Sequence, residues 1–356
     1  MLTLHGEIRL RRAYYYCGRC HQSYCPYDET LGLHDGISPG LRPLVCLAGT
    51  LLPFADAADD LLRRFAGVRL SASSVLRCTE AAGERLRAQL KEGQMVQPTQ
   101  AEPGWTGPRL AGQPRAYLGL DAFSVPMQGA GAGRAERRML YTARLYTPDK
   151  KHSRYLVDFE LDGLAQQVRA LARACGITAV RELVAITDGG NGLEEALQRH
   201  LAADVPTVLD WYHAAQHLCD FGALWHAQDE AARQAWVEQA KGLLYEQGGE
   251  ALLEQLRALT LPEGAPAETQ EELRRLIGYF ENNRHRMDYP RYRERGWDIG
   301  SGPTEAGCKV IGARLKGSGM RWVEDGAATV GALRALYVSG GKLWDGFWAQ
   351  PLRPAA

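Results

Sequence analysis

The chain has no apolar run approaching the roughly 20 residues that a membrane-spanning helix needs, which excludes a helical membrane protein. Its first residues, MLTLHGEIRLRRAYYYC, lack the apolar core of a secretory signal, so no export is expected. Net charge is missing too. The 42 basic and 42 acidic residues cancel, so global charge neither points to a polyanionic partner nor excludes one, and only local clustering can. With no export signal, the eight cysteines read as reduced thiols or metal ligands rather than disulfides. The expected location is the cytoplasm. What is present is an ordinary globular composition: 356 residues, 45% hydrophobic and 24% charged, enough for a sizeable core and two or three domains.

Residues 1–35 open with a stretch expected to form a short hairpin (Leu2, Leu4, Ile8, Leu10, then Tyr14 to Tyr16), its other face basic with Arg9, Arg11 and Arg12. The hairpin runs into CGRCHQSYC. Residues 36–91 read as helices. Pro39 or Pro43 opens the first, Phe54 to Phe65 forms the second with Leu61, Leu62 and Phe65 apolar, and Gly67 breaks it. Ser71 or Ser73 caps a third helix, and the pair around the glycine resembles a helix-turn-helix. Residues 92–114, rich in Gly, Pro and Gln, read as a linker.

Strand patterns follow at Ala116 to Val125, Met139 to Tyr146 and Tyr155 to Leu161. Then come a helix (Leu164 to Cys175), a strand (Leu183 to Thr187), a helix (Leu193 to Leu201) and a strand (Thr207 to Leu209). Three antiparallel-looking strands followed by alternating helix and strand predict a mixed α/β layer over 115–213. Residues 214–296 are helical throughout, with Thr269 and Glu272 spaced as a capping box before Leu273, Leu276, Ile277 and Phe280. Two further helices are expected within 297–340, and 341–356 reads as a tail.

Three acids stand where an α/β sheet presents chemistry. Asp121 interrupts the apolar strand YLGLDAFSV, Asp188 ends LVAIT, and Asp210 ends TVL. Asp188 before two glycines also fits a turn, and Asp210 also fits a helix cap. A mid-strand Asp121 has neither excuse, and burying it is costly unless it is paired or bound to a metal. Carboxylates gathered together suit Mg²⁺ or Mn²⁺, and two such ions about 3.5–4 Å apart can run phosphodiester chemistry. Glu305, in GSGPTEAGCK, fits a capping box with Gly302 as the cap and Pro303 first in the helix. It also begins a helical stripe of Glu305, Lys309, Gly312 and Lys316, separate from the apolar stripe of Cys308, Ile311 and Leu315. The stripe reads either as a carboxylate at a metal with phosphates along the lysines, or as a solvated face with one Glu–Lys pair.

Residues 282–322 carry nine basic residues against four acids, with Tyr289, Tyr292, Trp297 and Trp322 interleaved. That pattern fits phosphate contacts combined with base stacking, and Lys309, Arg314, Lys316, Arg321 and Trp322 are the candidate DNA contacts. The glycines at 129, 131 and 133 weakly echo a dinucleotide loop. They lie between two strands rather than between a strand and a helix, so a hairpin loop is the better reading.

The order LGLDAFSV, AITDGG, DWYHAAQH, a helical insertion, IGSGPTEAGCK and ARLKGSGMRW resembles the DDE transposases of bacterial insertion sequences, nearest the ISKra type and more distantly Mutator-like enzymes. The resemblance implies a ribonuclease-H-like fold holding two Mg²⁺ or Mn²⁺ ions on Asp121, Asp188 and Glu305. It also implies an accessory Asp210–His213 pair near the active site and an insertion domain at 214–296. DNA would be the partner, as transposon terminal inverted repeats and target, bound by a homodimer or larger assembly. Relatives carry an additional Cys-x-x-Cys that completes a zinc ribbon. Its absence here is read as a truncated start or a degenerate site, with Cys17 and Cys20, joined by His21 or Cys25, as candidate Zn²⁺ ligands. A non-catalytic DNA-binding descendant of such an enzyme, another ribonuclease-H-like nuclease and a small-molecule α/β enzyme are the competing readings.

Overall fold

The computed structural model describes residues 1–33, 35–100, 115–129, 136–177, 182–190, 192–201 and 205–350. At its centre lies a five-stranded sheet of β1 (Arg115–Pro126), β2 (Arg137–Tyr146), β3 (Ser153–Asp158), β4 (Glu182–Thr187) and β5 (Thr207–Leu209). The spatial order is β3-β2-β1-β4-β5. Strands β1 to β3 pair antiparallel in turn, whereas β4 lies parallel to β1 and β5 parallel to β4. Strand β1 is therefore central. This explains its nearly unbroken apolar run, since a strand covered on both faces has no solvent side to alternate with. The mixed α/β layer expected from the sequence is present, with strand bounds within a few residues of those expected.

Helices cover the sheet in two groups. The chain from α5 (Trp211–Trp225) through α6 (Glu230–Ala258), α7 (Ala267–Asn283) and α8 (Tyr289–Glu294) builds one apolar cluster with Tyr117, Tyr146, Val184, Ile186, Val208 and Leu209. The second cluster combines α3 (Leu161–Ala174), α4 (Leu193–His200), α9 (Gly302–Leu315), α10 (Glu324–Val338) and α11 (Gly341–Ala349) with the N-terminal helices α1 (Arg42–Leu51) and α2 (Ala72–Lys91). The helical stretch expected as a separate N-terminal domain thus shares the main core. Gly83 of α2 lies so close to α10 that a Cβ there would come within 2.6 Å of the Thr329 carbonyl oxygen. The 341–356 tail is not loose over its described part. Leu343, Trp344 and Phe347 of α11 are buried, and residues 95–99 of the expected linker pack beside it. The rest of the linker, 101–114, and residues 130–135 of the glycine loop lie outside the described residues.

Several local expectations need correction. Leu2–Thr3 pairs with Gly6–Glu7, while Tyr15–Tyr16 pairs with Ser23–Tyr24, so two small hairpins replace one. The second expected helix is π-helical over Ala57–Phe65, and Phe65 is 86% exposed while Leu62 is fully buried. The wider turn carries Phe65 off the apolar face. Gly67 does break the segment, at φ +66°, and Ser71 does cap α2 by accepting from the Ser74 amide at 3.1 Å. The Thr269–Glu272 capping box does not form. Helix α7 starts at Ala267 after Pro266, which leaves Thr269 buried inside the first turn.

Helix α9 crosses the face of β1 at Gly119, where it meets Thr304. A Cβ on residue 119 would fall inside the Thr304 hydroxyl. Only a residue without a side chain lets helix and strand approach this closely. Gly119→Ala is expected to push α9 outward and cost about 1–3 kcal/mol, the usual cost of overpacking. Urea unfolding would read the loss, and Thr304→Ala in the same chain should recover part of it. Equal losses with and without Thr304→Ala would show that the contact does not set the spacing.

Candidate functional site

The last paired residues of β1 and β4 are Leu120 and Thr187. The next residue on each strand is an aspartate, Asp121 and Asp188. Alternation along a strand turns both carboxylates to the face that carries Gly119, the face α9 covers. Helix α9 supplies Glu305 one residue after the Gly119–Thr304 contact. Its cap is Ser301, with Gly302 first and Pro303 second in the helix, so Glu305 stands one position beyond the capping-box place. Its side chain instead meets the Ser301 hydroxyl, 3.3 Å from Oε1. The chain returns to this point along β1. Arg115 donates to the carbonyls of Arg295 and Gly296 at 2.9 and 2.6 Å, and the Asp298 amide donates to the Tyr117 hydroxyl at 2.9 Å.

Burial pushes the Asp121 carboxyl above the usual carboxylate range. Hydrogen bonds from the Cys308 thiol and the Ala122 amide work against that shift, and the negative charges of Asp188 and Glu305 add to it. The Ala122 amide lies 2.7 Å from Asp121 Oδ1. Asp188 also forms the turn its glycines imply, accepting from the Gly190 amide at 3.2 Å. The turn reading and the site reading are therefore compatible.

Asp210 is fully buried and caps α5, accepting from the Tyr212 amide at 2.7 Å through Oδ1. Its Oδ2 accepts from the Ser301 amide at 3.1 Å and from the Ser301 hydroxyl. His213 Nδ1 lies 3.5 Å from the same oxygen. Burial alone would raise the Asp210 pKa, but the bonds from His213, Ser301 and the two amides outweigh it and hold the group below the usual range. The bond to Asp210 raises His213 despite partial burial, and the charges of Asp188 and Glu305 help. Among the described residues, the group whose ligand atoms lie within 4.8 Å of one another is Asp210, His213 and Glu305. Asp121 and Asp188 stand beside this group, close enough for their charges to be felt. Glu305 lies beside the His213 imidazole and the Ser301 hydroxyl, where it avoids the negative charges of Asp121 and Asp188.

The expected DNA contacts divide. Lys309, Lys316 and Arg321 are exposed. Arg314 and Trp322 are not available: Arg314 is buried, donating from Nε to the Gly49 carbonyl at 3.0 Å and facing the rings of Phe54 and Trp322. Trp322 is buried with its indole N–H on the Leu315 carbonyl at 2.9 Å. These two residues join α9 to the N-terminal helices. Tyr289, Tyr292 and Trp297 are also buried, the last two stacked on each other at 5.4 Å. Arg286 is buried as well and donates to the Thr187 hydroxyl at 2.9 Å. Gly312 accommodates the Lys316 stem and Phe123 rather than another backbone. A basic, aromatic sequence stretch thus proves to be largely core, because long amphipathic side chains bury their rings and stems as readily as they expose them.

At the N-terminus Cys17 and Cys20 are exposed and Cys25 is half-buried. The Cys20 amide lowers the Cys17 thiol pKa. The His21 Nδ1 is 2.8 Å from the Tyr16 hydroxyl. No three of these four residues meet the ligand spacing that Asp210, His213 and Glu305 do. None of the eight cysteines forms a disulfide. Sequence reasoning missed Ser301, which ties Asp210 to the Glu305 helix, and the contact of Cys308 with Asp121. A serine four residues before a helical acid was the available signal.

Two measurements check these electrostatics. An NMR titration should place His213 above the ordinary histidine value of about 6.5, and Asp210→Asn should bring it back down. Its stabilising contribution is full below the ordinary value and is lost as pH rises through the raised one. Asp121, whose folded pKa is also raised, makes stability fall with rising pH in the same sense. A carboxyl whose folded pKa is raised destabilises the fold as pH climbs through that value, so Asp121→Asn should raise the melting temperature of metal-free protein at neutral pH. An unchanged or lower melting temperature would contradict it.

No family model and no curated protein matches this chain. Among solved structures, one chain of a Drosophila P element transposase strand transfer complex is similar at 11% identity, over 83% of this chain and 78% of that one, with a TM-score of 0.29. A likeness at that level fixes neither the fold nor the function.

Proposed function

We propose that the chain is a metal-dependent DNA-cleaving and DNA-joining enzyme, a DDE transposase of ribonuclease-H-like build. This reading is supported by Asp121 within β1, Asp188 just past the end of the adjacent β4 and Glu305 on the covering helix lying near enough that both neighbouring charges weigh on Asp121, while their ligand atoms do not all come within the 4.8 Å that Asp210, His213 and Glu305 meet. Such a cluster is unstable by itself, and its donors are all hard oxygens that suit Mg²⁺ or Mn²⁺. Asp121, Asp188 and Glu305 would hold two such ions. These ions would supply activation of the attacking oxygen and stabilisation of the leaving one.

The chain's own residues do the rest. Buried Asp210 orients His213 at the edge of the cluster and raises its pKa, which favours an imidazolium able to hold a DNA phosphate. Ser301 links that pair to the Glu305 helix, so the two parts of the site move together. Lys309 and Lys316 share the Glu305 side of α9 and face solvent, which suits a phosphate backbone running along the helix. The substrate would be a transposon end. Hydrolysis there frees a 3′-hydroxyl, which then attacks a target phosphodiester; one P–O bond is broken for each one formed.

Purified protein with Mg²⁺ and DNA carrying the ends that flank its reading frame is the direct test. Asp121→Asn, Asp188→Asn and Glu305→Gln should each lower cleavage by more than about a hundredfold, beyond the 10–100-fold felt when an outer partner of a metal ligand is lost. DNA binding should stay near wild type. Full cleavage by any of the three variants would remove that residue from the metal set.

A further inference from the structure

The aromatics that the basic stretch pointed to are buried, yet another set lies open at the edge of the acid cluster. Tyr212 is 64% exposed. It sits between Asp210 and His213 in sequence, and its ring edge packs on Gly300, where a Cβ would come within 2.6 Å of Cε2. Gly300 precedes Ser301, the residue bonded to Asp210, so the ring borders the site directly. Trp211, half-buried, meets Tyr212 edge-on at 5.2 Å and meets Tyr245 edge-on at 5.9 Å. Tyr245 is 36% exposed, and the Arg293 guanidinium lies 3.7 Å from its ring centre. Of the nearby acids, Glu246 pairs with Arg293 at 3.4 Å and Asp298 with Lys150 at 3.3 Å, while Glu294 is exposed between Arg293 and Arg295. Arg291 and Arg295 are exposed on the same return segment.

An open tyrosine gains little from the hydrophobic effect and loses rotamer freedom when held in one place. Here one ring is held by a glycine and an indole, and the next by the same indole and an arginine. Rigid rings beside guanidinium groups form the chemistry that binds unpaired nucleotides, since every base has a π-face and every linkage a negative charge. A duplex keeps its base faces stacked inside and offers none of them.

We propose that Tyr212, Trp211, Tyr245 and Arg293 form a stacking platform for an unpaired DNA strand next to the bond to be cut. The platform names the form of DNA the site takes, and to that extent rests on the reading of the chain as a DNA-processing enzyme. Tyr212 receives the base nearest the carboxylates, and Tyr245 with Arg293 receives bases further along the strand.

The test reads binding alone, in EDTA, so that cleavage plays no part. Fluorescence anisotropy would compare a labelled duplex bearing a short unpaired end with the same duplex blunt-ended. Tyr212→Ala and Tyr245→Ala should each weaken binding of the unpaired end by about tenfold, the scale of losing one base–aromatic stack. The blunt duplex should stay within about twofold, and Tyr212→Phe should bind like wild type because the π-face is retained. Unchanged affinity of both alanine variants for the unpaired end overturns the platform. So does an equal loss for both duplexes. If the acid variants cleave normally while this pattern holds, the metal assignment fails and the platform stands.

Discussion

The approach of α9 to β1 at Gly119 is the constraint on which the rest of the site depends. Glu305 follows Thr304 directly, and Asp121 follows Gly119 by one alternation of the strand. A helix held further off by a single methyl group would carry its carboxylate away from Asp121 and Asp188. Other contacts of α9 repeat the pattern. Gly307 packs against Tyr155, and Arg144, next to Gly119 across the ladder, donates to the Pro303 carbonyl. Small residues on the helix and strand set the distance, and polar groups at the helix start set the rotation.

That geometry creates an electrostatic problem the fold answers only in part. Three carboxylates share one face, and burial raises Asp121 further. Beside them His213, whose pKa is raised by a fully buried Asp210, offers a group that takes up positive charge more readily than a free imidazole, and the charge of Asp210 is itself supported by four hydrogen-bond donors. Glu305 turns toward this pair and Asp121 draws on the Cys308 thiol, whose own pKa is pushed up first by burial and then by the Asp121 charge.

The helical block between β5 and α9 has a structural task of its own. It closes one part of the sheet with a separate apolar cluster and then returns the chain along β1, through Arg115, Tyr117 and Tyr289, whose hydroxyl donates to the Leu209 carbonyl at 3.1 Å. The N-terminal helices are tied to the same centre from the other side by Arg314 and by the Gly83 approach to α10. Both flanking regions therefore brace α9, and changes in either can be felt at the acids.

The sequence by itself determined the strands, most helices and the placing of Asp121 inside an apolar strand, because periodicity and a charged residue in an apolar run are local signals. Asp121 was legible for that reason, and so was the cap at Asp210. Only the tertiary structure decided which polar and aromatic groups stay accessible. Arg314 and Trp322 read as DNA contacts and proved to be buried joints, while Tyr212 was passed over and stands open beside the site. Burial depends on what packs opposite a residue. For Arg314 that is the Gly49 carbonyl, 265 residues away in the chain, a distance over which no local pattern carries information.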